Sequence, residues 1–213
     1  MRTLTPLEAR VLGVLVEKQA TVPDTYPLSL NALVAGSNQK TARVPVIEAT
    51  NAEVLSALDG LKSLSLIFEG SSSRVVKFEH NTARVLQVPG QAVALLAVLM
   101  LRGPQTSAEL RLNCERLHRF ADISSVEGFL DELAAKAVPM VLKLPRAAGE
   151  REARWAHLLC GEVALPAARA LAADDSVSAG ELSAIKAEQT RLAAEVADLR
   201  QLVQKIAAEL GIA

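Results

Sequence analysis

Apolar positions in this chain recur at two periods, and the switch from one to the other occurs twice in the same order. Leu7, Val11, Val14 and Leu15 fall at helical spacing behind Thr5, Pro6 and Glu8. That trio suits a helix start: a capping hydroxyl, a proline at the first helical position and a glutamate three residues after the cap. After a loop with Pro23 and Pro27, Ser29 heads a short apolar stretch with Leu30, Leu33 and Val34 that ends near Gly36. Residues 37–49 show no period. Thr50 and Glu53 repeat the capping pattern before Val54, Leu55, Leu58 and Leu61. The pattern then changes to β-branched and aromatic residues, Leu66, Ile67 and Phe68, then Val75, Val76 and Phe78, around the polar stretch Gly70 to Arg74. This predicts a β-hairpin with a polar tip.

The same order follows again. Gln91 to Leu101 is an apolar helix stopped by Gly103 and Pro104, and Thr106 with Glu109 caps a helix carrying Leu110 and Leu112. Ser124 or Ser125 is the expected cap of a third helix with Val126, Phe129, Leu130 and Leu133. Met140 to Leu144 and Arg154 to Leu159 then read as two strands around a tip containing Gly149. Three helices and a hairpin is the order of a winged helix, a helix-turn-helix variant. The repeat is one of architecture, since the halves share little residue identity.

From Gly161 the composition turns Ala-rich, which reads as a linker. Beyond it Leu182, Ile185, Gln189, Leu192, Val196, Leu199, Val203, Ile206 and Leu210 alternate at spacings of three and four. That is a heptad seam with Gln189 as its polar a position. Glu181 and Glu195 at g positions would face Lys186 and Arg200 at e positions in a parallel pair. The expected fold is mainly α with small β-hairpins: a winged-helix unit over 1–83, a second over 84–160, a linker over 161–180 and a coiled-coil helix over 181–213.

Composition and charge narrow what this architecture is expected to do. The net charge is -1, so no global basic field draws the chain to a polyanion. The middle section is mildly positive, with ten basic and eight acidic side chains over 84–160, and the tail is acidic. The two cysteines, Cys114 and Cys160, form no Cys-x-x-Cys and suit a reducing compartment. The start of the chain does not read as a secretory signal, and its longest apolar run, Ala92 to Leu101, is too short to span a bilayer. A cytoplasmic protein is expected.

Candidate chemistry lies in loops and hairpins. The helix after Thr50 and the helix after Ser125 would be the DNA-reading helices, yet both are acidic: Glu53 and Asp59 in one, Glu127, Asp131 and Glu132 in the other. Cations and amides cluster beside them. Asn38, Gln39, Lys40 and Arg43 occupy the aperiodic connection, where amides suit adenine and arginine suits guanine. Arg74 sits at the first hairpin tip, Arg116 and Arg119 lie between the second and third helices of the second half, and Arg146 and Arg151 flank the second tip. The alternative use of such arginines is internal pairing with the acids. Cys114 and His118 stand i, i+4, which would place both on one helical face, but two ligands do not make a structural zinc site. Both cysteines are expected as small buried hydrophobes. The three histidines are scattered, and no phosphate loop, nucleophile elbow or His-Glu-x-x-His is present, so neither an enzyme nor a cofactor is expected.

Several blocks in fixed order carry a family resemblance. They are Leu4 to Gly13, Glu17 to Gln19, Tyr26 to Ser29, Asn38 to Lys40 with Arg43, Pro45 and Val46, Leu101 to Gly103 with Gln105 and Thr106, and Glu109 to Arg111. Leu144, Arg146, Gly149, Arg151, Glu152, Arg154 and His157 continue them. Over about residues 4–160 the chain resembles the bacterial YceH family. The resemblance implies a tandem winged-helix fold and carries no assigned activity. Ala42 and Val44 stand where that family's pattern has more polar residues. The expected function is DNA binding, as a transcriptional regulator dimerised by residues 182–206. The expected partners are double-stranded DNA and a second copy of the chain. The alternative is a non-catalytic scaffold whose winged helices bind another protein.

Overall fold

Thr5 starts the first helix by a reciprocal exchange with Glu8. The Glu8 backbone N–H donates to Thr5 Oγ1 at 3.2 Å, and the Thr5 N–H donates to Glu8 Oε2 at 2.7 Å. Both donors would otherwise be orphans of the helix terminus. The computed structural model describes residues 2–70, 75–146 and 152–163. The chain divides into two compact units, residues 1–167 and 168–213, and only the first contains described residues. The linker from residue 164 and the heptad seam therefore lie outside the described residues.

In the first half, α1 (Pro6–Thr21), α2 (Leu30–Ser37) and α3 (Asn51–Ser63) are followed by the hairpin strands β2 (Ile67–Gly70) and β3 (Lys77–His80). A two-residue strand, β1 (Leu28–Ser29), precedes α2 and adds to the hairpin, giving the antiparallel order β1-β3-β2. Its register pairs Leu28 with Phe78 and Ser29 with Lys77. In the second half, α5 (Gly90–Arg102), α6 (Ser107–Asn113) and α7 (Ile123–Ala134) precede the hairpin β4 (Val141–Lys143) and β5 (Trp155–His157). Gln105 occupies the place of β1. Its N–H donates to the Trp155 carbonyl at 3.0 Å and its carbonyl accepts from the Trp155 N–H at 2.7 Å. Each half therefore adds one short pairing, just before its second helix, to the return strand of its hairpin.

Capping follows the local residues with one correction. Thr50 with Glu53 and Thr106 with Glu109 both form full capping boxes. The third helix of the second half is capped by Asp122, neither by Ser124 nor by Ser125. Asp122 Oδ1 accepts from the Ser125 N–H and from the Ser125 hydroxyl, each at 2.7 Å. A carboxylate at the N-cap is the better acceptor next to the positive helix end, so the helix begins two to three residues earlier than expected. Gly103 closes α5 at φ +75, a conformation glycine adopts without cost. A short helix, α4 (Thr82–Leu86), joins the halves where no element was expected.

The halves share one core. Leu12, Leu15, Leu58 and Leu61 of the first and Leu95, Leu96, Leu99 and Trp155 of the second belong to a single cluster of buried side chains. Its centre is the packing of α1 on α5, where a Cβ at Gly13 would come within 2.9 Å of Leu101 Cγ. The backbone reinforces the union, since the Leu4 N–H donates to the Leu159 carbonyl at 2.7 Å and the Val44 N–H to the Leu101 carbonyl at 2.8 Å. The described residues form a mixed structure of seven α-helices and two small antiparallel sheets. Among them no helix is long and apolar enough to cross a membrane.

Candidate nucleic-acid interface

The connection between α2 and α3 holds four of the residues selected from sequence, and three of them are engaged in hydrogen bonds within the chain. Asn38 braces the end of the loop: its Nδ2 donates to the Ala49 carbonyl at 2.9 Å and its Oδ1 accepts from the Ala49 N–H at 2.8 Å. Gln39 donates to the Thr41 carbonyl and hydroxyl at 3.0 and 3.2 Å. Arg43 was expected at a phosphate and is buried instead, at 3% exposure. Its Nη2 and Nη1 reach the two Glu17 carboxylate oxygens at 2.6 and 3.1 Å, and its Nε donates to the Gly36 carbonyl at 3.0 Å. Burial would raise the Glu17 pKa, but the hydrogen bonds and charge of Arg43 outweigh it and hold the carboxyl below its ordinary value. Lys40 is the member of the set that stays exposed, and it makes no ion pair among the described residues.

In the second half the arginines between α6 and α7 point outward. Arg116 and Arg119 are exposed and form no ion pair among the described residues. The chain beside them is anchored: Phe120, directly after Arg119, is buried, with edge contacts to His118 at 4.7 Å and to Phe129 at 5.9 Å between ring centres. Arg111 donates to the Ala121 carbonyl at 3.1 Å, tying the same connection to α6. The pairing of these arginines with Glu127, Asp131 and Glu132 that sequence left open does not occur among the described residues. Glu127 accepts from the Ser107 hydroxyl at 3.1 Å, and Asp131 and Glu132 face solvent. The hairpin differs. Arg154 is paired with Glu109 at 2.9 Å, and Lys143 lies over the Trp155 ring at 5.2 Å, while Arg146 is exposed. Arg74 and Arg151 lie outside the described residues.

Cys114 and His118 do not share a helix, although the His118 N–H donates to the Cys114 carbonyl at 2.8 Å. The helix α6 ends at Asn113, so Cys114 is its cap and His118 lies beyond it. The Cys114 thiol is fully buried, contacts the Ala94 carbonyl at 3.6 Å, and burial pushes its pKa up to about 12. It is therefore a core thiol and a poor ligand. Cys160 is only half-buried. Among the described residues no group of three or more histidine, cysteine, aspartate or glutamate side chains is placed to hold a metal ion. Sequence reasoning passed over Arg10, which is buried on α1 at 4% exposure. The available signal was a lone arginine inside the apolar run from Leu7 to Val16.

Comparison with known proteins places this fold in a family. A family model described as "Protein of unknown function, DUF480" matches residues 4–150. A UPF0502 protein of Burkholderia cenocepacia is 67% identical over 215 residues, covering 100% of this chain and 91% of the relative. UPF0502 proteins of Burkholderia pseudomallei and Burkholderia thailandensis are each 68% identical over 213 residues, with the same coverage. The chain belongs to the DUF480 family, whose similar members here are named UPF0502 proteins.

Proposed function

We propose that this chain is a double-stranded-DNA-binding protein, built on two winged helices of the YceH type and acting as a transcriptional regulator in the cytoplasm. What supports the winged-helix reading is the repeated order of three helices and a hairpin, with a short extra pairing before each second helix. The observation that carries DNA binding is the set of exposed cations without acid partners among the described residues: Lys40, Arg116, Arg119 and Arg146. They lie in the connections and on the second hairpin, whereas α3 exposes Glu53 and Asp59 and α7 exposes Asp131 and Glu132. A phosphate backbone repels such helices and attracts such loops, so contact runs through connections and wings with the third helices turned from the groove. The C-terminal heptad seam joins two copies and so doubles the cationic sites on one duplex.

The test is binding of a labelled random-sequence duplex, titrated with salt. Each phosphate neutralised contributes about -0.9 to the slope of log K against log salt. Absence of binding at about 50 mM salt, or binding indifferent to salt, overturns the reading.

A second reading, a non-catalytic scaffold that binds another protein, is favoured by Leu55 on α3 and Ile123 on α7. Both are large apolar side chains exposed on the acidic third helices, at 43% and 44%. Exposed apolar groups on such helices suit a protein surface better than a phosphate backbone. A stoichiometric protein partner in nucleic-acid-free material would support it.

A further inference from the structure

Arg10 differs from Arg43, the other buried cation among the described residues. Its Nη1 donates to the Ser37 carbonyl at 3.1 Å and its Nη2 to the Pro45 carbonyl at 2.7 Å, while its Nε is buried with no acceptor. No carboxylate among the described residues closes an ion pair on it, although Arg43 nearby has Glu17. Burial and the Arg43 charge both press its pKa below the ordinary arginine value. A buried charge without a counter-ion is costly unless something else supplies one.

Arg10 lines a cleft of about 500 Å³ between α1, the loop before α3, the end of α5 and β5. Its walls are mostly apolar, with Leu7, Ile47, Leu99 and Met100 among them. His157 also lines it, and its Nδ1 is a second buried polar atom without a partner. Burial lowers the His157 pKa to about 4, so the ring is neutral at ordinary pH and offers a hydrogen bond and no charge. An apolar cavity of this size with a few fixed polar groups has the character of a small-molecule site. The charge selects the ligand. The Nε–H, left without an acceptor, is a donor suited to a carboxylate oxygen, and Glu48, Glu53 and Glu162 on the lining weigh against a more highly charged anion such as a phosphate monoester.

We propose that this cleft binds a small aliphatic monocarboxylate, its carboxylate on Arg10, its chain along Leu7, Val44 and Ile47, and His157 as the second polar contact. Because the walls come from both halves, such a ligand bridges them. The inference is independent of DNA binding and is tested without nucleic acid.

The experiment uses the full chain with three probes of equal length: octanoate, octanol and octylamine. Binding is followed by calorimetry and by protection of Cys160, which lines the cleft, from a maleimide; Cys114 is buried and serves as the silent thiol. The expected result is saturable octanoate binding with slowed Cys160 modification, at least tenfold weaker binding of octanol and none of octylamine. Arg10→Met is expected to abolish the preference for octanoate over octanol. Should that variant not fold, Ile47→Trp decides: it fills the cleft from the half-buried loop and is expected to remove octanoate binding while leaving the unfolding midpoint unchanged. Equal binding of the three probes, no saturable octanoate binding at millimolar concentration, or undiminished binding by folded Ile47→Trp overturns the proposal.

Discussion

Arg43 reaches from the loop before α3 back to α1 and grips both carboxylate oxygens of Glu17, at 2.6 and 3.1 Å. The guanidinium is wholly buried and the carboxylate nearly so, at 0% and 16% side-chain exposure. Removing one partner strands the other charge in a low-dielectric site. Glu17→Gln is therefore expected to cost about 3–5 kcal/mol in urea denaturation. The double variant Glu17→Leu, Arg43→Met is expected to recover most of that loss, since a buried pair exchanged for apolar groups is often neutral. Additive single losses in the double-mutant cycle would contradict the coupling.

Two glycines on helices carry opposite predictions. At Gly13 a Cβ would meet Leu101 Cγ at 2.9 Å in the α1–α5 contact, so Gly13→Ala is expected to destabilise by about 1–3 kcal/mol. At Gly128 on α7 a Cβ meets nothing within 4 Å. There Gly128→Ala is expected to stabilise by about 0.5–1 kcal/mol, through lost chain entropy in the unfolded state. Urea midpoints of the two variants should move in opposite directions; a common direction would contradict the assigned packing.

Burial lowers His80 and His157 from the ordinary 6.5 to about 4. Above 6.5 both states are neutral and nothing changes. Between 6.5 and 4 the unfolded chain takes up protons that the native chain refuses, so stability falls as pH drops through this window. The expected loss is about 1–2 kcal/mol per histidine by about pH 5. Below that, Glu8 and Glu17, held under their ordinary value, add a further loss on protonation. His157→Gln should flatten the upper part of the profile. A denaturation midpoint identical at pH 7.5 and pH 5 would exclude the assignment.

If Arg116 and Arg119 meet phosphates, Arg116→Gln and Arg119→Gln should each reduce the salt slope of duplex binding by about 0.9, uniformly across sequences. Loss of affinity without a change of slope would place them elsewhere.

The heptad seam makes a separate prediction from spacing alone. Full-length chain should sediment as a dimer at micromolar concentration, and Leu192→Asp with Leu199→Asp should return it to a monomer, because charges at d positions leave the seam unable to close. A monomeric full chain would sink the self-association.

Local order was readable because its causes are local. Thr5 with Glu8, Thr50 with Glu53 and Thr106 with Glu109 act across three residues, so the helix starts follow from spacing. The cap of α7 was misplaced because Asp122 and two following serines all suit the position, and the strength of the acceptor decides among them. The pairings of Leu28 with Phe78 and of Gln105 with Trp155 are too short to leave a period in the sequence.

Sequence by itself determined the two rounds of helices and hairpins, the acidic character of both third helices and the likeness to a family described only as a protein of unknown function. Only the tertiary structure decided which cations are free to act. Arg43 and Lys40 are neighbours in one polar loop, yet Arg43 is committed to Glu17, 26 residues away, while Lys40 faces solvent. Arg10 looks like one polar residue in an apolar helix, and becomes a charge at a cleft only when α5 and β5 close against α1. Burial and the presence of a counter-charge are properties of surfaces brought together from distant parts of the chain. They decide whether a cation braces the fold or remains available to a ligand.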